Sequence, residues 1–157
     1  MHSRIFQVCA KPIDKDDYIT EDYYYDHWFL HQIADYVDDD CDRDESIEWL
    51  ADCAKGYSIE KDNNGYYIVI NSKEEYFKNA YERFMRALKN IGTPTIAQFA
   101  NGLDLWNFKD AYEEKFGFYV ELCYDECSHD LMTLDEFVRH ADVLSKWYIG
   151  SVIDYHY

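Results

Sequence analysis

Apolar and polar residues alternate from Ser3 to Ala10, with Ile5, Phe6 and Val8 as the apolar positions. Lys11-Pro12 closes the run, so the pattern predicts a first strand. Thr20 followed by Glu21 and Asp22 marks a helix start, and Tyr25, Phe29, Ile33 and Val37 recur every four residues as its apolar stripe. Asp42 or Asp44 can cap a second helix, because Ile47, Leu50 and Cys53 or Ala54 form another stripe that ends at Gly56.

Tyr57 to Lys61 and Tyr66 to Asn71 flank Asp62-Asn-Asn-Gly65, where Asn and Gly accept the positive φ of a tight hairpin turn. Ser72-Lys-Glu-Glu75 is a capping box. It opens a helix with Phe77, Tyr81, Phe84, Met85 and Leu88 on one side, stopping near Gly92. Thr93-Pro94 starts a short helix through Phe99 that Gly102 ends, and Leu105 to Phe116 makes another. Phe118 to Tyr124 has the pattern of a strand. Thr133-Leu-Asp-Glu136 is a second capping box, before Phe137, Val138, Ala141 and Leu144, and Trp147 to Tyr157 alternates as a last strand. With no repeat and no linker, residues 1–157 are expected to form a single compact α+β domain, a small mainly antiparallel sheet with several helices.

A chain of 157 residues can bury a core without disulfides or a metal. Apolar residues at 48% and aromatics at 18% separate it from disordered acidic tails. The five cysteines, an odd number without regular spacing, fit reduced thiols in a cytoplasmic compartment. The start MHSRIFQVCAKPID has no apolar signal core, and no apolar run is long enough to span a bilayer.

The net charge of −17 changes the picture most, since it repels nucleic acid and anionic membranes and calls for a basic partner. It is also uneven: residues 14–52 hold fifteen acids against Lys15 and Arg43, a net of −13. Asp35, Asp38, Asp39, Asp40, Asp42, Asp44, Glu45 and Glu48 are joined there by Asp16, Asp17, Glu21, Asp22 and Asp26. On helices, carboxylates one turn apart lie about 5 to 6 Å from each other. Rows of them on adjoining helices can imitate backbone phosphates in the basic groove of a nucleic-acid enzyme. Tyr23, Tyr24, Tyr25, Tyr36 and Trp28 would add aromatic contacts, so the acidic helical segment of about 14–55 is the candidate interaction surface. The alternatives are a solvated acidic face and calcium or magnesium binding, for which no loop spaces the oxygen ligands.

Phosphate loops, HExxH, nucleophile elbows and paired CxxC are absent, and the chain is expected not to be an enzyme. His27 with His31 and Cys123 with Cys127 offer four ligands on paper for a structural zinc, with His129 a further candidate; no other cofactor is expected. Cys127 and His129 are too close in sequence to establish the orientation that nucleophilic catalysis needs.

In size, acidity, tyrosine content and lack of catalytic motifs the chain resembles the small antirestriction and anti-CRISPR inhibitors of phages and mobile elements. The hairpin and helix NNGYYIVINSKEEYFKNAYERFM resembles, in element order, an arrangement found in some anti-CRISPR proteins. The resemblance implies a non-catalytic inhibitor in the bacterial cytoplasm, a mimic of DNA acting on a CRISPR effector or other Cas nuclease or on a restriction enzyme. An immunity protein or antitoxin against a basic toxin nuclease shares the same physics, and a metal-dependent hydrolase is the alternative of a different class.

Overall fold

Alternation in the first strand sends Ile5 to one side and Phe6 and Val8 to the other, and both sides are buried. The sheet built around it therefore has a core on each face. The computed structural model describes residues 1–125 and 128–157. Its strands are β1 (His2–Cys9), β2 (Tyr36–Asp38), β3 (Tyr57–Asp62), β4 (Gly65–Ile70), β5 (Tyr119–Asp125), β6 (Ser128–Thr133) and β7 (Lys146–His156). They form one sheet in the order β3-β4-β7-β1-β5-β6, with β2 beside the C-terminal end of β7. Every pairing among the described residues is antiparallel except that of β1 with β5. The fold is α+β.

On one face Phe6, Val8, Ile68, Val120 and Val152 meet Ile47 and Leu50 of α2 (Arg43–Asp52) and Phe137 and Val138 of α6 (Leu134–His140). On the other face Ile5, Tyr119, Ile153 and Tyr155 meet Ile19, Tyr24, Phe29, Ala34 and Val37. Leu134, Phe137 and Val138 alone give the short α6 a fully apolar inner side, and Thr133 caps it by accepting from Glu136 N at 3.1 Å.

The hairpin forms as its turn residues dictate, with Asp62 paired to Gly65 around Asn63-Asn64. Ser72 caps α3 (Lys73–Ile91), accepting from Glu75 N, and Gly92 ends it at φ +61°. Gly56 is required: its φ is +71°, and a Cβ there would collide with the backbone of Ser72 and Tyr76. After α3 come α4 (Ile96–Ala100) and α5 (Trp106–Tyr112), each shorter than its sequence pattern predicts. Phe84 of α3 packs on Phe108 of α5 with ring centroids 4.3 Å apart.

The expected helix from Thr20 through Val37 is not formed. That stretch holds a 3-10 turn at Glu21–Tyr24, one helical turn α1 (Phe29–Gln32) and then β2. Tyr24 rather than Tyr25 is buried, and Val37 is buried as a strand residue opposite Tyr155. Asp38 Oδ1 accepts from Asp40 N at 2.7 Å, the local bonding by which Asp competes with helix. The acidic segment is thus a mostly irregular path on one face followed by α2 on the other, without adjoining acidic helices. Strand β6 lies where the sequence shows only a Cys/His constellation.

Candidate functional site

Of the fifteen acids between residues 14 and 52, only Glu21 and Asp38 are half-buried; the others are exposed. What makes this a surface rather than a tail is the set of apolar residues beneath it. Ile19, Tyr24, Phe29, Ala34, Val37, Ile47 and Leu50 are all buried, spaced so that no long stretch of the segment is free of the sheet.

Polar side chains of the sheet fix the same path. Gln7 of β1 is buried; its Oε1 accepts from Ile19 N at 3.3 Å and from Ser151, and its Nε2 donates to the Asp17 carbonyl at 2.9 Å. Glu121 of β5 is 1% exposed, and it accepts from Tyr24 Oη at 3.0 Å and from Tyr23 Oη at 3.4 Å. Burial pushes the Glu121 carboxyl up to about 7, against the opposing pull of the two tyrosine hydrogen bonds. Burial beside Glu121 in turn raises Tyr23 to about 12. A near-neutral carboxyl in the sheet therefore holds the start of the acidic segment.

The outer carboxylates shape their own loops. Asp42 Oδ1 accepts from Glu45 N at 3.0 Å and caps α2. Tyr36 donates to Asp38 at 2.7 Å, Tyr25 donates to Glu21 at 2.7 Å, and Asp35 accepts from His156 across 2.8 Å. The Asp40 backbone N–H and then the Tyr36 hydroxyl hold Asp38 below the usual carboxylate range; His156 does so for Asp35. Glu21, Asp38 and Asp39 have oxygens within 4.8 Å of one another, the one such group of three among the described residues. Because Asp39 also accepts from Glu21 N, this trio is accounted for by loop closure.

Sequence-predicted surface residues separate accordingly. Asp22, Asp26, Asp35, Asp39, Asp40, Asp42, Asp44, Glu45, Glu48, Tyr23 and Tyr36 are exposed. Tyr24 is corrected: it is fully buried and serves as the anchor to Glu121. Trp49, which the sequence reading passed over, is exposed on α2.

The Cys/His set is brought together only in part. Cys123 and His129 are partners across β5 and β6, with Sγ and Nδ1 3.1 Å apart, and they line a cleft of about 910 Å³ with Lys11, Tyr18 and Tyr23. Cys127 lies outside the described residues. His27 stacks on Tyr23 at 5.9 Å, and His31 is exposed on α1; neither joins a group of three metal-ligating atoms with Cys123 and His129 among the described residues. Burial pushes the Cys123 thiol up to about 11, so it is protonated at neutral pH, the opposite of an activated nucleophile.

Sequence reasoning missed Glu121 and Gln7. Their signal was present, since a lone carboxylate within Tyr119-Val-Glu-Leu-Cys123 and an amide within Ile5-Phe-Gln-Val8 interrupt otherwise apolar strands. Comparisons with family models, curated proteins and solved structures give no match.

Proposed function

We propose that this chain is a non-catalytic inhibitor that binds a basic nucleic-acid-binding protein through residues 14–52, the acidic surface taking the place of a phosphate backbone. The observation that carries the reading is the combination of thirteen exposed acids with a buried row beneath them. A charge run that only solvates the chain has no need of anchors such as Tyr24 on Glu121. In this reading the carboxylates speed encounter and release counterions from the partner's groove, and exposed Tyr23, Tyr25, Trp28 and Trp49 slow dissociation. Because α2 is the one helix longer than a single turn in the segment, the mimicry is of charge density rather than of helical phosphate rows.

A CRISPR effector or a restriction nuclease is the partner class we infer, from the resemblance to phage inhibitors and from the basic nucleic-acid channel such enzymes carry. Asp22, Asp26, Asp40, Glu45 and Glu48 have side chains without an internal hydrogen bond among the described residues, so their amides leave the fold unchanged. Changing all five to Asn or Gln is expected to weaken binding to a purified CRISPR or restriction nuclease by more than tenfold at low salt and to flatten its salt dependence. Duplex DNA is expected to displace the wild-type protein. Unaltered affinity and salt slope, measured by calorimetry on a variant with unchanged melting temperature, would remove the proposal.

A further inference from the structure

A second recess lies away from the Glu121 centre, bounded by the last turn of α2, the first turns of α3 and α6, and the loop before β5. Its volume is about 330 Å³, within the size range of small-ligand sites. Trp49, Phe116, Phe118, Tyr76 and Tyr157 give it aromatic walls, and Glu114 and Asp135 are its carboxylates.

The two carboxylates are differently committed. Asp135 accepts from Tyr76 Oη at 2.8 Å and from Glu114 N at 3.0 Å, which orients it and leaves lone pairs over. The Glu114 carboxylate has no hydrogen-bond partner among the described residues. It lies across Gly117, close enough that a Cβ there would sit 3.3 Å from its Cδ. Burial and the neighbouring Asp135 both raise its pKa, with Arg83 acting the other way.

Among the described residues no Lys or Arg lines the cleft. The nearby basic side chains have partners of their own: Arg4 with Asp154 and Ser46, Arg83 with Asp110, Arg139 with the Tyr112 carbonyl, and His2 with Asp154, while Lys115 stands over the Phe116 ring at 5.7 Å. The molecule's own guanidinium groups already use aromatic faces, Arg4 over Trp49 at 5.3 Å and Arg139 over Tyr112 at 4.2 Å.

From these features we infer that the cleft is a binding site for a guanidinium group, seated against the aromatic walls and paired with Glu114 and Asp135. A planar, weakly hydrated guanidinium suits both partners at once: its faces stack on rings and its N–H fork meets carboxylates. An ammonium can also stand over a ring, as Lys146 does over Tyr67 at 4.3 Å, but it has no planar face to stack or fork to meet a carboxylate, and it loses more hydration on entering. The group is supplied either by an arginine side chain of a protein or by a free guanidino compound. The site does not rest on the inhibitor reading, and no nuclease is needed to test it.

The test is a titration of the ¹⁵N-labelled chain with N-acetyl-arginine methylamide, free arginine and N-acetyl-lysine methylamide, following the Trp49 indole resonance alongside calorimetry. Saturable binding of an arginine compound is expected, with Glu114→Gln weakening it about tenfold, a loss of one charge-assisted contact. Tighter binding of the capped arginine identifies a protein side chain as the source; tighter binding of free arginine identifies a small molecule. Absence of saturable binding overturns the inference, as do equal binding of the lysine compound and an unchanged affinity in Glu114→Gln. The Glu114 side chain carries no hydrogen bond among the described residues, so that variant is expected to fold. Asp135→Asn keeps an acceptor for Tyr76 but not the one for Glu114 N, so a second loss there counts only where the melting temperature is unchanged.

Discussion

The acidic segment of residues 14–52 and the helical arm of residues 73–112 are opposite solutions to the same problem of presenting a surface. The segment has a net charge of −13 and little regular structure, yet Tyr24 and Phe29 within it are completely buried. The arm contains six bases and five acids, a net of +1, and the longest helix in the molecule. Only Ala87 and Ala111 are buried there, while Ile96 is 87%, Phe99 72% and Trp106 64% exposed. Strong helix periodicity has not produced burial, and weak periodicity has not prevented it. Periodicity fixes what an element is; burial requires a complementary surface, which the sheet offers to the segment and not to most of the arm.

The sharpest way to break this contrast is to remove one aromatic from each region. Phe29→Ala deletes a side chain packed on Tyr119 and Tyr155 at 4.9 and 5.1 Å, and is expected to cost about 3 to 5 kcal/mol in denaturant unfolding. Phe99→Ala on the arm is expected to change stability by less than about 0.5 kcal/mol. Comparable losses from the two would mean that the arm is held as firmly as the segment.

Glu121 sharpens the comparison through pH. Its carboxyl is raised to about 7 in the folded chain, against an ordinary value of 4.5, so between these values the native state holds a proton that the unfolded state has released. Its contribution to stability is therefore present below about pH 4.5, falls as pH rises to about 7 and is level above that, with a span on the order of 3 kcal/mol. Glu121→Gln cannot lose a proton. Its stability relative to wild type is expected to rise between pH 5 and pH 7.5 in urea unfolding, with Tyr23 and Tyr24 protected in both proteins. A constant difference across that range would show that Glu121 titrates as an ordinary carboxyl.

Smaller losses than that of Phe29→Ala come from the caps. Asp42→Ala and Ser72→Ala each remove one side-chain acceptor from a helix N-terminus and are expected to cost about 1 kcal/mol. Hydrogen exchange tells the regions apart: the Asp42 change is expected to loosen α2 together with the core under it, and the Ser72 change to loosen α3 alone.

Residues 57–75 were legible because their instructions are local. Asn63-Asn64-Gly65 closes a hairpin by backbone geometry, and Ser72, like Thr133 further on, caps its helix by accepting from the N–H three residues ahead. Residues 20–40 were misread because Tyr25, Phe29, Ile33 and Val37 match a helical period by coincidence. Val37 is buried by pairing with β7, more than a hundred residues further along the chain, and Tyr24 by Glu121; neither contact has a signature within a helical window. Strand β6 was missed for a related reason, since Ser-His-Asp-Leu-Met-Thr has little strand propensity and is held by its ladder to β5. The acidic surface itself was visible in the charge pattern. The guanidinium cleft was not, because Trp49, Glu114 and Asp135 stand far apart in sequence.

By itself the sequence determined the short-range elements, the α+β class and the sign and location of the charge, since each follows from side chains within a few residues of one another. The tertiary structure alone decided which tyrosine is buried, that the acidic stretch is an anchored path rather than two helices, and that Glu121 and Gln7 hold it. Those outcomes depend on pairing partners between 10 and 144 residues apart, where burial and hydrogen bonding outweigh local propensity.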